Sequence, residues 1–324
     1  MTDLSAAAIV AAHQALRPHI WPTPLLPSPA LSRRAGGPVF LKLECWQRTD
    51  SFKVRGALNW AASLAPDRRS RGVVTASAGN HGLGIALAAE AFGLPPTVVF
   101  LPEGAASNKV RQLIASGCQV RRAGADYDAA YALAEAYALE EGALYVSAYD
   151  DPAVIAGQGT VGLEILLDLP ETDLLLVPIG GGGLIAGIAV AARALRPGIR
   201  IVGLQPEASP AAYLSLRDGR PYEAYPAGST ICDGLAGGFG RLPFAIARGL
   251  IDEVLLVPEP AIRHALAWLL IHKQLLVEGS GAIAIAPLLT GQITAAGIRV
   301  AAVLTGRNVD PNLVQSCLEE YREP

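Results

Sequence analysis

The chain has 324 residues, of which 51% are hydrophobic and 17% charged, and its net charge is -3 at neutral pH. A chain of this length and composition can bury a large core and divide into two domains. The charge gives no electrostatic reason to bind nucleic acid, and basic residues form no run interleaved with aromatic ones, so nucleic acid is excluded as an expected partner.

Cysteine usage and hydropathy bear on where the protein resides. The four cysteines are scattered, which fits neither a CxxC metal pattern nor the dense disulfides of a secreted fold. The amino terminus is predicted to form a helix capped by Ser5 rather than a signal peptide. No apolar run reaches the roughly 18 to 20 residues of a membrane span. We therefore expect free thiols, a cytoplasmic location and no contact with a membrane.

The predicted elements alternate along the chain. Short β-branched or apolar runs predict strands at residues 39–44, 73–78, 97–102, 144–148, 174–179, 199–205, 253–258 and 299–306. Alanine-rich segments with helical periodicity predict helices at residues 80–92, 107–117, 127–141, 153–168, 184–195, 259–277 and 310–320. This alternation is typical of an α/β protein with mostly parallel sheet.

Three loops that directly follow predicted strands contain glycine or small polar residues. They read "SAGNHG" (77–82), "GGGG" (180–183) and "TGRN" (305–308). Ligands of parallel sheets collect just beyond the carboxyl ends of the strands. All three loops therefore lie where a bound molecule is expected.

The loop of four glycines leads from a strand into a helix. It leaves bare backbone N–H groups and the positive end of a helix pointing at one spot, which suits a phosphate. The alternative interpretation is a flexible connection, although each glycine costs about 0.5 to 1 kcal/mol relative to alanine. The loop matches neither GxGxxG nor the P-loop, so a phosphate-bearing cofactor smaller than a dinucleotide is favoured.

The first loop has small residues followed by Asn80 and His81. Its backbone amides are suited to holding a carboxylate while the Asn80 side chain donates a hydrogen bond. The alternative is an ordinary helix entry that contains asparagine. His81 is interpreted as a packed or capping residue and is not assigned a proton-transfer role.

Lys53 is one of only four lysines among 26 basic residues, and it lies at a predicted helix start, where a positive charge is unfavourable. A surface lysine is the alternative interpretation. However, a lysine amine can form a Schiff base, and it occurs here together with a phosphate loop and a candidate ring-binding loop. The combination predicts a pyridoxal phosphate site.

Five ordered motifs carry a family resemblance: "SFKVRGA", "SAGNHGLGIA", "GGGGLIAG", "VEGSGA" and "LTGRNVD". Together they resemble the threonine and serine dehydratases (ammonia-lyases) and serine racemases, which are fold type II pyridoxal phosphate enzymes. The resemblance implies a tryptophan synthase β-like α/β fold of two parallel-sheet lobes with the cofactor in the cleft between them. The implied large domain comprises residues 1–71 and 149–324, and the small domain comprises residues 72–148. A homodimer is the family expectation.

The resemblance also implies roles for individual residues. Lys53 would bind the cofactor covalently and act as the catalytic base. The remaining cofactor contacts would come from Phe52 against the ring, Asn80 at the ring 3'-oxygen, Gly180, Gly181, Gly182 and Gly183 around the phosphate, Glu278 nearby, and Thr305 at the ring nitrogen. The substrate carboxylate would be held by the loop of Ser77, Ala78, Gly79, Asn80 and His81.

Three departures from the family pattern narrow the expected function. Ala78 stands where the racemases carry a serine that acts as a base, so elimination is favoured over racemisation. Gln205 and Ala211 stand where acidic metal ligands are found in many relatives, so no required divalent metal is expected. Arg307 replaces a small residue; it could pair with an acid, recognise a larger or anionic substrate, or face solvent.

The favoured function is a lyase that converts L-threonine, L-serine or a related β-hydroxy amino acid to a 2-oxo acid and ammonia. One alternative is elimination from a different amino acid, as in the dehydratase-like members of hydroxyectoine breakdown. Another is a non-catalytic protein that binds pyridoxal phosphate.

Overall fold

The computed structural model describes residues 4–77, 79–105, 107–125 and 127–322. A six-stranded sheet contains the first two and the last four of the strands in these ranges. In spatial order its strands are β1 (Leu25–Pro27), β2 (Val39–Lys42), β10 (Val300–Val303), β7 (Leu174–Pro178), β8 (Arg200–Pro206) and β9 (Glu253–Val257). Strand β1 is antiparallel to β2, and the other pairs are parallel. Every residue of β7 is buried, as expected for a central strand covered by helices on both faces.

A four-stranded sheet is formed by the stretch of chain between β2 and β7. In spatial order its strands are β5 (Gln119–Arg122), β4 (Val98–Leu101), β3 (Val73–Ala76) and β6 (Leu144–Tyr145). All of its pairs are parallel. Strands β3 and β4 are buried throughout, whereas β5 lies at the sheet edge and is largely exposed.

Helices connect most of the strands. Those in the described ranges are α1 (Ala6–Leu16), α2 (Pro29–Ala35), α3 (Lys53–Ala62), α4 (Asn80–Phe92), α5 (Ser107–Ala115), α6 (Tyr127–Glu141), α7 (Pro152–Asp168), α8 (Gly183–Leu195), α9 (Ala211–Asp218), α10 (Arg241–Ala247), α11 (Glu259–Lys273), α12 (Gly279–Ala282), α13 (Ala286–Thr290) and α14 (Pro311–Glu320). The predicted cap of α1 is confirmed, since the Ser5 hydroxyl accepts a hydrogen bond from the Ala8 amide at 3.2 Å. Among these helices, none is long and apolar enough to cross a bilayer.

Several predicted boundaries are wrong. The strand predicted at 144–148 ends at Tyr145, and the helix predicted at 259–277 ends at Lys273, because Gln274 adopts a left-handed conformation with φ 51°. Strand β1 has three residues and contains a proline, and β5 reads "QVRR". Strand β1 is too short, and β5 is too polar, to show the pattern by which strands are recognised, so neither was predicted.

A buried ionic cluster anchors α3 against its neighbours. The Arg55 guanidinium is fully buried and lies 2.7 Å from carboxylate oxygens of both Glu44 and Glu164. The Lys42 amine lies 2.7 Å from the second oxygen of Glu164. Burial alone would raise the pKa of Glu164, but Arg55 and Lys42 outweigh it and lower the pKa to about 2. Two cations therefore balance two carboxylates beneath the helix that Lys53 begins.

Candidate active site

The loops that follow β3, β7 and β10 converge on one cavity of about 310 Å³. Every described residue predicted for the site lines this cavity: Phe52, Lys53, Ser77, Gly79, Asn80, His81, Gly180, Gly181, Gly182, Gly183, Glu278 and Thr305. Ala78, predicted to belong to the same loop, lies outside the described residues. The structure thus brings together residues that are up to 253 positions apart, Phe52 and Thr305, and it does so at the carboxyl ends of parallel strands, where ligands are expected.

The glycine loop forms the start of helix α8. Gly182 is the N-cap residue with φ 95°, and no side chain caps this helix terminus. A Cβ atom at position 182 would lie 2.2 Å from a ring carbon of Phe239, and one at position 181 would lie 2.2 Å from the Tyr149 ring. Larger residues are therefore sterically excluded. The loop presents bare backbone and the positive end of a helix to the cavity, which is an arrangement that binds phosphate.

Lys53 begins α3, and its side chain reaches the same cavity. Its amine donates a hydrogen bond of 3.2 Å to the Ala148 carbonyl and lies 5.3 Å from the centre of the Phe52 ring. Although the whole side chain is only partly buried, desolvation of the amine lowers the pKa of Lys53 to about 8, and nearby Glu278 opposes this shift. A larger fraction of the amine is therefore unprotonated near neutral pH than in an exposed lysine.

Asn80 and Glu278 are joined directly. The Asn80 amide donates to the two Glu278 carboxylate oxygens at 2.8 and 3.1 Å, and its own oxygen accepts from the Asn308 amide at 2.7 Å. Burial raises the pKa of Glu278 to about 7, although Asn80, Lys109 and Lys53 favour its charged form. Asn308 also lines the cavity, but it was assigned no role from the sequence. Its position in the "TGRN" loop after β10 is the sequence feature that could have indicated a place in the site.

Thr305 follows the last residue of strand β10 by two positions and is buried. Its hydroxyl donates to the Ser280 carbonyl at 3.2 Å, and the Ser280 hydroxyl accepts from the Gly234 amide at 3.2 Å. Ser280 lines the cavity as well, which the sequence had not indicated. Two neutral hydroxyl groups thus occupy this side of the cavity.

The loop after β3 is held by its first residue. The Ser77 hydroxyl accepts hydrogen bonds from the backbone amides of Gly79 at 3.3 Å and Gly82 at 3.0 Å. His81 is buried, and burial together with Lys53 lowers its pKa to about 3, so the ring is neutral. Its Nε2 lies 3.4 Å from the Val146 carbonyl, which can only accept, and we therefore assign the ring proton to Nε2.

An ion pair forms part of the cavity lining. Lys109 of α5 contacts the carboxylate of Asp233, and both side chains line the cavity. The stem of Lys109 also lies 3.9 Å from the position that a Cβ of Gly79 would occupy. Neither residue was predicted from the sequence, because nothing in their local surroundings distinguishes them from surface charges.

The Arg307 side chain pairs with an acidic residue and does not line the cavity. Its Nη2 and Nε lie 2.6 and 2.7 Å from Oδ1 of Asp50. Asp50 and Arg307 are both absent from the residues that line the described cavity. Of the three interpretations left open by the sequence, pairing with a nearby acid is the one found.

The residues of the cavity fit pyridoxal phosphate. An uncapped helix start whose loop excludes side chains suits a phosphate dianion, and a desolvated lysine amine suits an aldehyde. Aromatic, amide and hydroxyl side chains surround the space between these two features. This donor set matches a phosphorylated aromatic aldehyde better than a nucleotide or a metal ion.

Comparison with known proteins gives consistent matches over most of the chain. The family model described as pyridoxal-phosphate dependent enzyme matches residues 16–306. The chain is 44% identical over 305 residues to the L-threonine ammonia-lyase of Geobacter sulfurreducens, covering 94% of this chain and 75% of that protein. It is 38% identical over 305 residues to the catabolic L-threonine dehydratase of Escherichia coli, covering 93% of this chain and 92% of that protein.

The solved structure of maize serine racemase is also similar. Its TM-score is 0.91 at 33% identity, and the alignment covers 98% of this chain and 97% of that chain. These matches confirm the resemblance, the type II α/β fold and the pyridoxal phosphate cofactor predicted from the sequence. The chain belongs to the family of pyridoxal-phosphate dependent enzymes.

Proposed function

We propose that this protein is an ammonia-lyase that converts L-threonine, L-serine or a related β-hydroxy amino acid to a 2-oxo acid and ammonia. The observation that carries the proposal is the single cavity in which the Lys53 amine, the uncapped glycine loop and the Asn80 loop meet. The names of the relatives from Geobacter sulfurreducens and Escherichia coli support threonine as a substrate.

Each described residue takes a role set by its position. Gly180 to Gly183 would hold the cofactor phosphate through backbone N–H groups, Phe52 would pack against the ring, and Thr305 would offer its hydroxyl to the ring nitrogen. When bound, pyridoxal phosphate supplies an aldehyde that condenses with amines and a ring that withdraws electrons. A hydroxyl partner, unlike a carboxylate, does not favour a protonated ring nitrogen.

Lys53 would bind the cofactor covalently and would act as the catalytic base when substrate replaces it on the cofactor. Because its pKa is lowered to about 8, its Nζ is poised to accept the Cα proton of the substrate near neutral pH. The amides of the loop from Ser77 to His81, with Asn80, hold the substrate carboxylate. Asn80 would also donate to the ring 3'-oxygen, and its hydrogen bonds with Glu278 and Asn308 orient its amide group in the cavity. Ala78 offers no hydroxyl as a second base, so loss of the β-substituent is favoured over racemisation.

The domain limits follow from the same resemblance. We propose a small domain of residues 72–148 and a large domain of residues 1–71 and 149–324. The four-stranded sheet, whose strands run from Val73 to Tyr145, supports this division.

We further propose a homodimer that resides in the cytoplasm. The four cysteines are free and buried, which supports a reducing compartment. The homodimer rests on the family resemblance.

A substrate panel tests the function. The purified holoenzyme is given L-threonine, L-serine and larger β-hydroxy amino acids while 2-oxo acid and ammonia are measured and the cofactor absorbance is followed. Turnover of threonine or serine is expected. Turnover of only another amino acid would favour the alternative in which the enzyme catalyses elimination from a different amino acid. Cofactor absorbance without any turnover would identify a non-catalytic protein that binds pyridoxal phosphate.

Lysine variants test the site. Lys53→Ala should lose both turnover and the borohydride-trapped adduct, whereas Lys273→Ala, at the end of α11, should retain both. Peptide mass mapping locates the adduct in the wild-type chain. An adduct at a lysine other than Lys53 would refute the assignment.

A further inference from the structure

The turn that precedes Lys53 has an unusual backbone. Thr49 and Asp50 have φ values of 64° and 58°, and among the described residues only one other non-glycine residue, Gln274, has a positive φ. Side chains disfavour this left-handed region because Cβ approaches the following carbonyl oxygen. Two such residues in succession persist only where the surroundings impose the conformation, and such strain concentrates at functional sites.

The surroundings here are supplied by residues 305–308. The Phe52 amide donates to the Thr305 carbonyl at 3.1 Å, and Ser51 forms an antiparallel bridge with Gly306. The Arg307 amide donates to the Asp50 carbonyl at 3.0 Å. The segment that carries Thr305 and Asn308 into the cavity therefore also fixes the turn from which Lys53 emerges.

Side chains complete the contact at the strained positions. The Arg307 guanidinium places both Nε and Nη2 within 2.7 Å of one Asp50 oxygen, and the Asn308 amide donates to the Thr49 carbonyl at 2.9 Å. The side chains of Arg307 and Asp50 are 39% and 41% exposed and lie outside the cavity, so the pair has no direct route to the reacting atoms. Any effect on chemistry must be transmitted through the backbone of residues 50–53 or through the neighbouring segment 305–308, and a change at residue 50 distinguishes the two routes.

We propose that Arg307 is a positioning residue: it holds Asp50 in the left-handed conformation and thereby sets where Lys53 enters the cavity. The proposal deepens the proposed function and rests on Lys53 as the cofactor lysine. The proposed role of Arg307 predicts a specific effect of replacing residue 50 by glycine. Glycine adopts a φ near 58° without steric penalty, so the guanidinium is required only because position 50 carries a side chain.

A double-mutant cycle isolates this dependence. The wild type, Asp50→Gly, Arg307→Ala and the double variant are prepared as apoproteins and titrated with pyridoxal phosphate. Arg307→Ala is expected to raise the dissociation constant about three- to tenfold, and the double variant should return to within about twofold of the wild type. Thermal unfolding of each apoprotein is recorded in parallel. If Arg307→Ala does not fold, the test is whether the double variant folds, because the glycine at position 50 should then make the guanidinium unnecessary.

A second measurement does not depend on the cofactor. The rate of Lys53 acylation in each apoprotein is followed against pH by peptide mass mapping. Burial lowers the pKa of Lys53 to about 8, so the midpoint should rise in Arg307→Ala, where the amine becomes better solvated, and fall back in the double variant. Arg200→Ala is the matched control. Arg200 forms an ion pair of similar length, 2.7 Å, with Glu253, and the two side chains are 51% and 41% exposed. Arg200 is the first residue of strand β8, at the end of the strand away from the cavity loops.

The outcomes separate the two proposals. A double variant as impaired as Arg307→Ala, or an Arg307→Ala protein like the wild type in both measurements, would overturn the positioning role. An Arg200→Ala protein that loses as much cofactor affinity as Arg307→Ala would overturn it too. A wild-type protein without cofactor binding or turnover would refute the proposed function instead, and the acylation series would still decide the role of Arg307.

Discussion

The substitution Gly182→Ala tests whether the glycine loop holds the cofactor phosphate. A residue with a side chain at φ 95° carries a strain of about 1 to 2 kcal/mol. The new methyl group would also lie 2.2 Å from Phe239 and 2.8 Å from Pro243, and overpacking of this kind costs about 1 to 3 kcal/mol. If only about 1.4 kcal/mol of this total displaces the amides at the start of α8, phosphate affinity falls about tenfold.

The assay compares two ligands that differ by the phosphate. Apoprotein is titrated with pyridoxal phosphate and, separately, with pyridoxal. Gly182→Ala should bind pyridoxal phosphate at least about tenfold more weakly and pyridoxal with nearly unchanged affinity. The matched control is Gly198→Ala, where the added Cβ meets no atom within 4 Å. Equal losses for both ligands, or no loss for pyridoxal phosphate, would refute a phosphate cradle at this loop.

Three further predictions concern pH, stability and metal. Because burial raises the pKa of Glu278 from 4.5 to about 7, its contribution to apoprotein stability is complete below about pH 4.5 and is lost as the pH rises through 7. In Glu278→Gln the unfolding free energy, measured by urea titration, should vary less with pH across this range. An unchanged pH dependence would contradict the shift. Arg55→Met leaves the buried Glu44 carboxylate without a cation, while Glu164 keeps only Lys42, and should lower the unfolding free energy by about 3 to 5 kcal/mol. Arg200→Ala should lower it by at most about 1 kcal/mol, and similar losses for the two variants in urea unfolding would be inconsistent with the buried cluster. Magnesium added to the chelator-treated enzyme should change turnover less than about twofold. Gln205 stands at the expected ligand position, and its side-chain amide already donates to the Ile179 carbonyl and accepts from the Tyr213 amide. A many-fold rise in turnover would show a metal requirement.

The chemistry of the cofactor explains why much of the site was predictable from sequence. A covalent link requires a lysine, and the phosphate requires a helix start without side chains, so Lys53 and the glycine loop are constrained by residue type alone. Each also lies directly after a strand or at a helix start, where local pattern places it. The small polar loop after β3 indicated Asn80 and His81, and the family resemblance indicated Thr305; all three line the cavity.

The short edge strands could not be predicted in this way. Strand β5 reads "QVRR" and is exposed because it packs on one side only, so its sequence lacks the apolar signal of β3 and β4. Only pairing with β4 makes it a strand.

Tertiary structure alone decided which polar groups meet. Arg307 and Asp50 are 257 positions apart, Asn80 and Glu278 are 198 apart, and Lys109 and Asp233 are 124 apart. Hydrogen bonds and ion pairs of this kind leave no periodicity in the sequence, because each partner satisfies only local rules at its own position. The sequence therefore determined which groups are proposed to bind the cofactor, and the packing of two sheets determined which residues hold those groups in place.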